Sequence, residues 1–242
     1  MPKIYLLARN LKEKLLAFSS EERAQQVRRY FKTLEGEYGE GDKFIGVSLP
    51  QIRILAKESS EISMTELKKM VKSPIHEERL LGFIICVLKI SEARKKKDED
   101  TEKEIVDFVL NHRIFLNNWD IIDVTVPKIL GPYFLKRNRK VLYRLIKSKS
   151  LWDRRIALMT TFEFIRNADF EDTLKFCEIV LDDKEDLIHK ASGWMLREVG
   201  KRKKAKLIPF LNKYHAKMPR TMLRYAIEKL PAPEREKYLK RS

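Results

Sequence analysis

Apolar residues recur at three- and four-residue spacing along almost the whole chain, and no segment sustains the strict alternation of a strand, so the pattern predicts an all-α protein. ERAQQVRRYFKTL follows Ser19-Ser20, a candidate N-cap, and SMTELKKMV carries Ser63 and Glu66 at capping-box spacing. Further helices are expected at roughly 75–93, 101–112, 118–135, 138–147, 151–166, 169–181, 185–201, 205–216 and 219–229. The main irregular stretch is GEYGEGDKFIGVSLP, residues 36–50, with four of the eight glycines. It ends in Ser48-Leu49-Pro50, a helix start with proline in the first turn.

The helices also repeat. ERLLGFI (78–84), WDIIDVT (119–125), RRIALMT (154–160), HKASGWM (189–195) and TMLRYAI (221–227) align, their starts 41, 35, 35 and 32 residues apart. Each opens the more apolar helix of a pair, and small residues (Gly82, Ala157, Ala191, Gly193) stand where helices can approach closely. That pattern predicts a HEAT-like or armadillo-type helical-repeat solenoid. No linker divides it, so residues 1–242 are expected to form a single domain. One helix of each pair would line a concave groove. The second aligned position holds Arg79, Asp120, Arg155, Lys190 and Met222, three of five basic. Two readings stand: solvated charges, or a basic groove suited to the phosphates of a duplex.

Charge favours the second. The chain has 51 Lys and Arg against 35 Asp and Glu, a net charge of +16, and a polyanionic partner, nucleic acid or an anionic membrane surface, is expected. Cys86 and Cys177 lie in apolar helical patterns and read as buried thiols of a reduced, intracellular, cytoplasmic protein. MPKIYLLARNLKEKLLAF is too broken by charge for a signal peptide, and no apolar run is long enough to span a membrane. His76, His112, His189 and His215 lack metal-ligand spacing, and no metal site is expected.

Candidate chemistry centres on NNWDIID, residues 117–123, where acids sit inside an apolar segment of a basic chain. On a helix starting near residue 118, Trp119 and Asp123 share one face. Asp120 fits a first turn or cap, where the helix dipole favours an acid. Asp123 lies deeper, at the position that holds Gly82, Leu158 and Gly193 in the other repeats, and either faces the groove or is buried with an arginine. Trp194 stands at the same stage of its own repeat, and Trp152 precedes the 154 helix; for any one tryptophan taken alone, core is the favoured reading. ARKKK (93–97) runs into DEDTEKE and reads as a solvated loop, whereas KRKKAK (201–206) suits either the C-terminal dipole of its helix or a phosphate backbone.

FIGVSLPQIRILAK, NNWDIIDVTVPKILGPYFLK, SLWDRRIALM and HKASGWMLREVGK resemble the AlkD family of DNA alkylation repair glycosylases, which are HEAT-like solenoids. The resemblance covers most of the chain. It implies hydrolysis of the N-glycosidic bond of cationic N3- or N7-alkylated purines in double-stranded DNA, without turning the lesion into a pocket. Carried over position by position, Trp119 and Trp194 match the aromatics that pack against the damaged nucleotide, and Asp123 matches the catalytic carboxylate. Arg155 matches a basic residue of the DNA groove and Tyr30 a tyrosine near the cleft. Ser48 stands where the family has a glutamine, a departure that bears on lesion preference. The expected DNA-contacting set is completed by Lys190, Arg154 and Arg79. A cationic purine is already a good leaving group, so one carboxylate that stabilises the sugar cation and takes a proton from water suffices, with no cofactor. The protein is expected to act as a monomer. The rival readings are a non-catalytic solenoid that binds damaged or branched DNA, and a protein-interaction scaffold.

Overall fold

The 3.6-residue periodicity becomes fourteen α-helices and one 3-10 turn among the described residues, with no β-strand. This computed structural model describes residues 7–240; residues 1–6 of the N-terminal stretch, discussed above as unlike a signal peptide, lie outside them. The chain divides into two compact units, Met1–Thr125 and Val126–Ser242.

In the first unit, α1 (Ala8–Leu16), α3 (Leu49–Glu58), α4 (Met64–Val71) and α6 (Glu99–Asn111) pack against α5 (His76–Lys96), while α2 (Glu21–Tyr30) precedes the glycine-rich stretch. α5 is buried around most of its girth, through Leu80, Leu81, Phe83, Ile85, Cys86 and Ile90. Burial on several sides is what its nearly continuous apolar run requires. Gly82 lets α4 come close: a Cβ there would lie 2.8 Å from Val71 Cγ1. Ser20, Ser48 and Ser63 all cap helices, accepting from the N–H groups of Arg23, Gln51 and Glu66. The full reciprocal box forms at Ser48 and Gln51, where Gln51 Oε1 accepts from the Ser48 N–H at 3.0 Å. At the expected box, Glu66 instead accepts from the Ala8 N–H at 2.9 Å and pairs with Lys69. ARKKK belongs to the end of α5 rather than a loop. Arg94 pairs with Glu102, Lys95 and Lys96 with Glu92, and left-handed Lys97 (φ 56°) stops the helix.

α7 (Trp119–Leu135) follows the 3-10 turn Arg113–Phe115, and the boundary between the units falls inside it. The second unit continues with α8 (Lys140–Leu145), α9 (Leu151–Arg166), α10 (Glu171–Ile179), α11 (Asp186–Arg202), α12 (Lys204–Tyr214), α13 (Arg220–Ile227) and α14 (Ala232–Leu239). α8 and α10 pack on α9, and α9, α10, α12 and α13 pack on α11. At Gly193 a Cβ would meet the Met222 carbonyl at 2.5 Å and Tyr225 Cβ at 2.6 Å, so α11 and α13 touch there because the residue is glycine. The close approaches expected at Gly82 and Gly193 are present, and within each unit the helices stack on their neighbours as a helical-repeat solenoid requires. Both thiols are free and buried, which pushes the Cys86 pKa up to about 12 and raises that of Cys177 further. Among the described residues, no helix is long and apolar enough to cross a membrane.

Candidate functional site

The NNWD segment is held by a buried charge network that begins in the glycine-rich stretch. Gly46 adopts φ +79°, and a Cβ on it would stand 2.1 Å from the Ser20 carbonyl, so this backbone runs against the start of α2 only as glycine. Lys43 forms a single-residue bridge with Ile75, and the Lys43 carbonyl accepts from the His76 N–H at 2.8 Å. Glu77, 3% exposed, accepts from the N–H groups of Ile45, Gly46 and Val47, with the Gly46 bond at 2.8 Å. The first four residues of α5, His76 to Arg79, are thus buried polar residues that precede the helix's apolar run, each with a partner: Glu78 pairs with Lys12 of α1 at 2.8 Å.

Asp42 is the hub. Its carboxylate accepts from His76 Nδ1 at 3.0 Å and from Asn118 Nδ2 at 3.2 Å, and it pairs with Arg79. The other ring nitrogen of His76, Nε2, lies 2.8 Å from Asp120 Oδ2. Two carboxylates and two cations balance within one buried cluster, the condition under which buried charge is tolerated. Burial by itself would lower the His76 pKa, but Asp120 and Asp42 outweigh it and raise the value to about 9. Burial likewise opposes ionisation of Asp42, yet His76 and Arg79 hold its pKa below the ordinary carboxylate value.

This network fixes the first turn of α7. Asn118, fully buried, also accepts the Trp119 N–H through Oδ1 at 2.8 Å, and Asp120 accepts the Ile121 N–H at 2.8 Å. Trp119 is half-buried against the apolar cluster of Ala24, Phe31 and Phe44, with its ring 5.1 Å from that of Phe31. Its indole N–H donates to the Tyr38 hydroxyl at 3.2 Å, and that hydroxyl donates to the Tyr30 carbonyl. Tyr30 meets Trp119 edge to face at 5.8 Å while remaining 66% exposed. The structure therefore brings Tyr30 and Trp119 together, with half-buried Asp123 one turn further along α7. Ser48 is half-buried and committed to its cap, donating to Gln51 Oε1 at 2.6 Å.

The expectation that the second aligned position lines a basic groove is corrected. Arg79 and Arg155 are 3% and 4% exposed and Met222 is fully buried, so in three of the five repeats that position points into the helix packing. Arg79 pairs with Asp42 and donates to the Ser73 carbonyl at 3.0 Å. Arg155 donates to the Leu187 carbonyl at 2.7 Å. Arg154 is a structural clamp, gripping both oxygens of Asp183 at 2.6 and 3.1 Å and donating to the carbonyls of Ser148 and Lys149. Lys190 is more exposed than these arginines and pairs across one turn with Asp186 at 2.7 Å. Trp194, half-buried on α11, lies 5.9 Å from the Phe162 ring of α9. In KRKKAK, Lys201 and Arg202 pair with Glu198, and Lys204 pairs with Glu234.

His76, Asp42, Asn118 and Glu77 were not among the expected site residues. One signal existed: HEER, four polar residues opening a helix whose next seven residues are apolar or glycine.

Stacked helix pairs of this kind define a helical-repeat protein, and a more specific placement follows from comparison with known proteins. The chain belongs to the DNA alkylation repair enzyme family, whose model matches residues 11–230. Among solved structures it is similar to a predicted DNA alkylation repair enzyme from Enterococcus faecalis, with a TM-score of 0.68 and 16% identity over 88% of this chain and 97% of that one. At that identity the likeness is one of fold. No curated protein matches the chain.

Proposed function

We propose that this protein is a DNA glycosylase that hydrolyses the N-glycosidic bond of cationic N3- or N7-alkylated purines, such as 3-methyladenine and 7-methylguanine, in duplex DNA. The observation that carries the reading is Asp123, a half-buried carboxylate one turn beyond Trp119 on a helix whose first turn is locked by buried charges. Family membership and a net charge of +16 supply the context of damaged DNA.

In this reading the positively charged purine departs as a neutral base, taking the electrons of the C1′–N bond. Asp123 faces the resulting oxocarbenium-like sugar and accepts a proton as water adds to C1′, leaving an abasic deoxyribose. Trp119 and Trp194 pack against the damaged nucleotide, and each aromatic face adds about 0.5–2 kcal/mol of attraction to a cation. Tyr30, exposed beside Trp119, and Lys190 are assigned to the DNA backbone. Arg155 is buried, and its role is to act on neighbouring groups rather than on phosphates. Residues 1–242 act as one monomeric DNA-binding domain, in the compartment that holds the chromosome.

Duplex DNA carrying 7-methylguanine, incubated with the protein, should yield free 7-methylguanine and an abasic site. Salt-sensitive binding of the same duplex without base release would favour a non-catalytic reader of damaged DNA. Binding to duplex DNA that is indifferent to salt would favour a protein scaffold.

A further inference from the structure

We propose that His76 is a positioning residue for this base release: clamped as an imidazolium between Asp42 and Asp120, it orients the first turn of α7 and so sets where Trp119 and Asp123 stand. The inference rests on the glycosylase reading and goes beyond it, because His76 touches neither substrate nor reacting atoms.

Each ring nitrogen of His76 faces a carboxylate. Asp42 Oδ2 lies 3.0 Å from Nδ1 and Asp120 Oδ2 lies 2.8 Å from Nε2. A carboxylate on each side suits a ring that donates from both nitrogens, which is the imidazolium. The groups around the ring fit a cation: Phe44 stacks on it at 4.4 Å, Phe31 lies at 5.5 Å, and the one other charged group in the cluster, Arg79, is engaged by the far oxygen of Asp42.

The clamp is also directional, unlike apolar packing. Three consecutive residues of the NNWD stretch are tied by polar contacts to earlier parts of the first unit: Asn118 to Asp42, Trp119 to Tyr38, and Asp120 to His76. The rest of α7 transmits orientation to this turn poorly. Pro127 stands inside the helix with no N–H to bond the carbonyl of residue 123, four positions back. The turn bearing Trp119 and Asp123 is therefore aimed from its N-terminal side, and His76 joins it to the Gly46 stretch and α5.

The test uses the full chain and the variants His76→Gln, Asp120→Asn and the two combined. Single-turnover release of 7-methylguanine is measured beside the Kd for the same duplex. Fluorine spectra of protein labelled with 5-fluorotryptophan are recorded, with Trp119 assigned from Trp119→Phe. His76→Gln should slow release about tenfold or more, as a displaced catalytic group does, with Kd within about threefold of wild type. The Trp119 signal should move while those of Trp152 and Trp194 stay. Asp120→Asn should give a smaller loss, and the double variant, whose amides can bond each other, should recover part of the rate. If His76→Gln does not fold, Asp120→Asn decides, since Asp120 is at the partly exposed helix start. Wild-type rates in the folded variants overturn the positioning role alone. No release by the wild type overturns the glycosylase reading, and the role of His76 with it.

Discussion

The stability of the first unit should depend on pH through His76. Its pKa is raised from 6.5 to about 9 in the folded chain. Below about pH 6.5 the imidazole is charged in folded and unfolded chains alike, and its stabilisation is complete. Between pH 6.5 and 9 the folded chain keeps a proton that the unfolded chain has released, so stability falls by about 1.4 kcal/mol per pH unit. Over the whole window the loss is ~3 kcal/mol, which for a chain of this size is roughly 6–12 °C in Tm. Asp42, whose pKa is held below the ordinary carboxylate value by His76 and Arg79, adds no slope in that range. Urea unfolding of the wild type and His76→Gln at pH 6.5, 7.5 and 8.5 isolates the effect, because titrations common to both cancel. The wild type should be the more stable at pH 6.5, and its advantage should shrink steadily as pH rises. An advantage that stays constant with pH would show that the imidazole is not held as a cation, and the clamp argument would fail.

Two further substitutions test the supporting framework. Gly46→Ala should destabilise by more than about 3 kcal/mol, since it combines a left-handed backbone with a Cβ 2.1 Å from the Ser20 carbonyl; a urea midpoint within error of wild type would refute this. Arg154→Ala should cost about 3–5 kcal/mol by stranding the nearly buried Asp183, yet leave the salt dependence of DNA binding unchanged. A shallower salt slope would return Arg154 to the set of phosphate contacts.

The helices were legible because most are short amphipathic or apolar segments, four of them capped by serine, and spacing alone locates such elements. Boundaries drifted where acidic side chains nearby neutralise a basic run: α5 continues to Lys96 with Glu92 and Glu102 paired to its basic end. Helical phase was the weaker inference. Aligning the repeats identified the deeper helix of each pair, but not which way its second residue points, so Arg79 and Arg155 were placed in a groove and lie in the packing. The partner that explains Arg79 is Asp42, 37 residues upstream in an irregular stretch, where no periodicity announces a contact. His76 escaped for a similar reason: it was weighed as a metal ligand, and its two carboxylates come from residues 34 positions before and 44 after it. Asp120 was legible as a first-turn acid; its second role as one jaw of the clamp was not.

The central claim is that Asp123 performs base release, and the most direct measurement is single-turnover release of 7-methylguanine from methylated duplex DNA by the wild type and by Asp123→Asn. The account predicts release by the wild type and a loss of at least about a hundredfold in the variant, in the range set by removing a positioned general base. Equal release by the two proteins would contradict the assignment of Asp123.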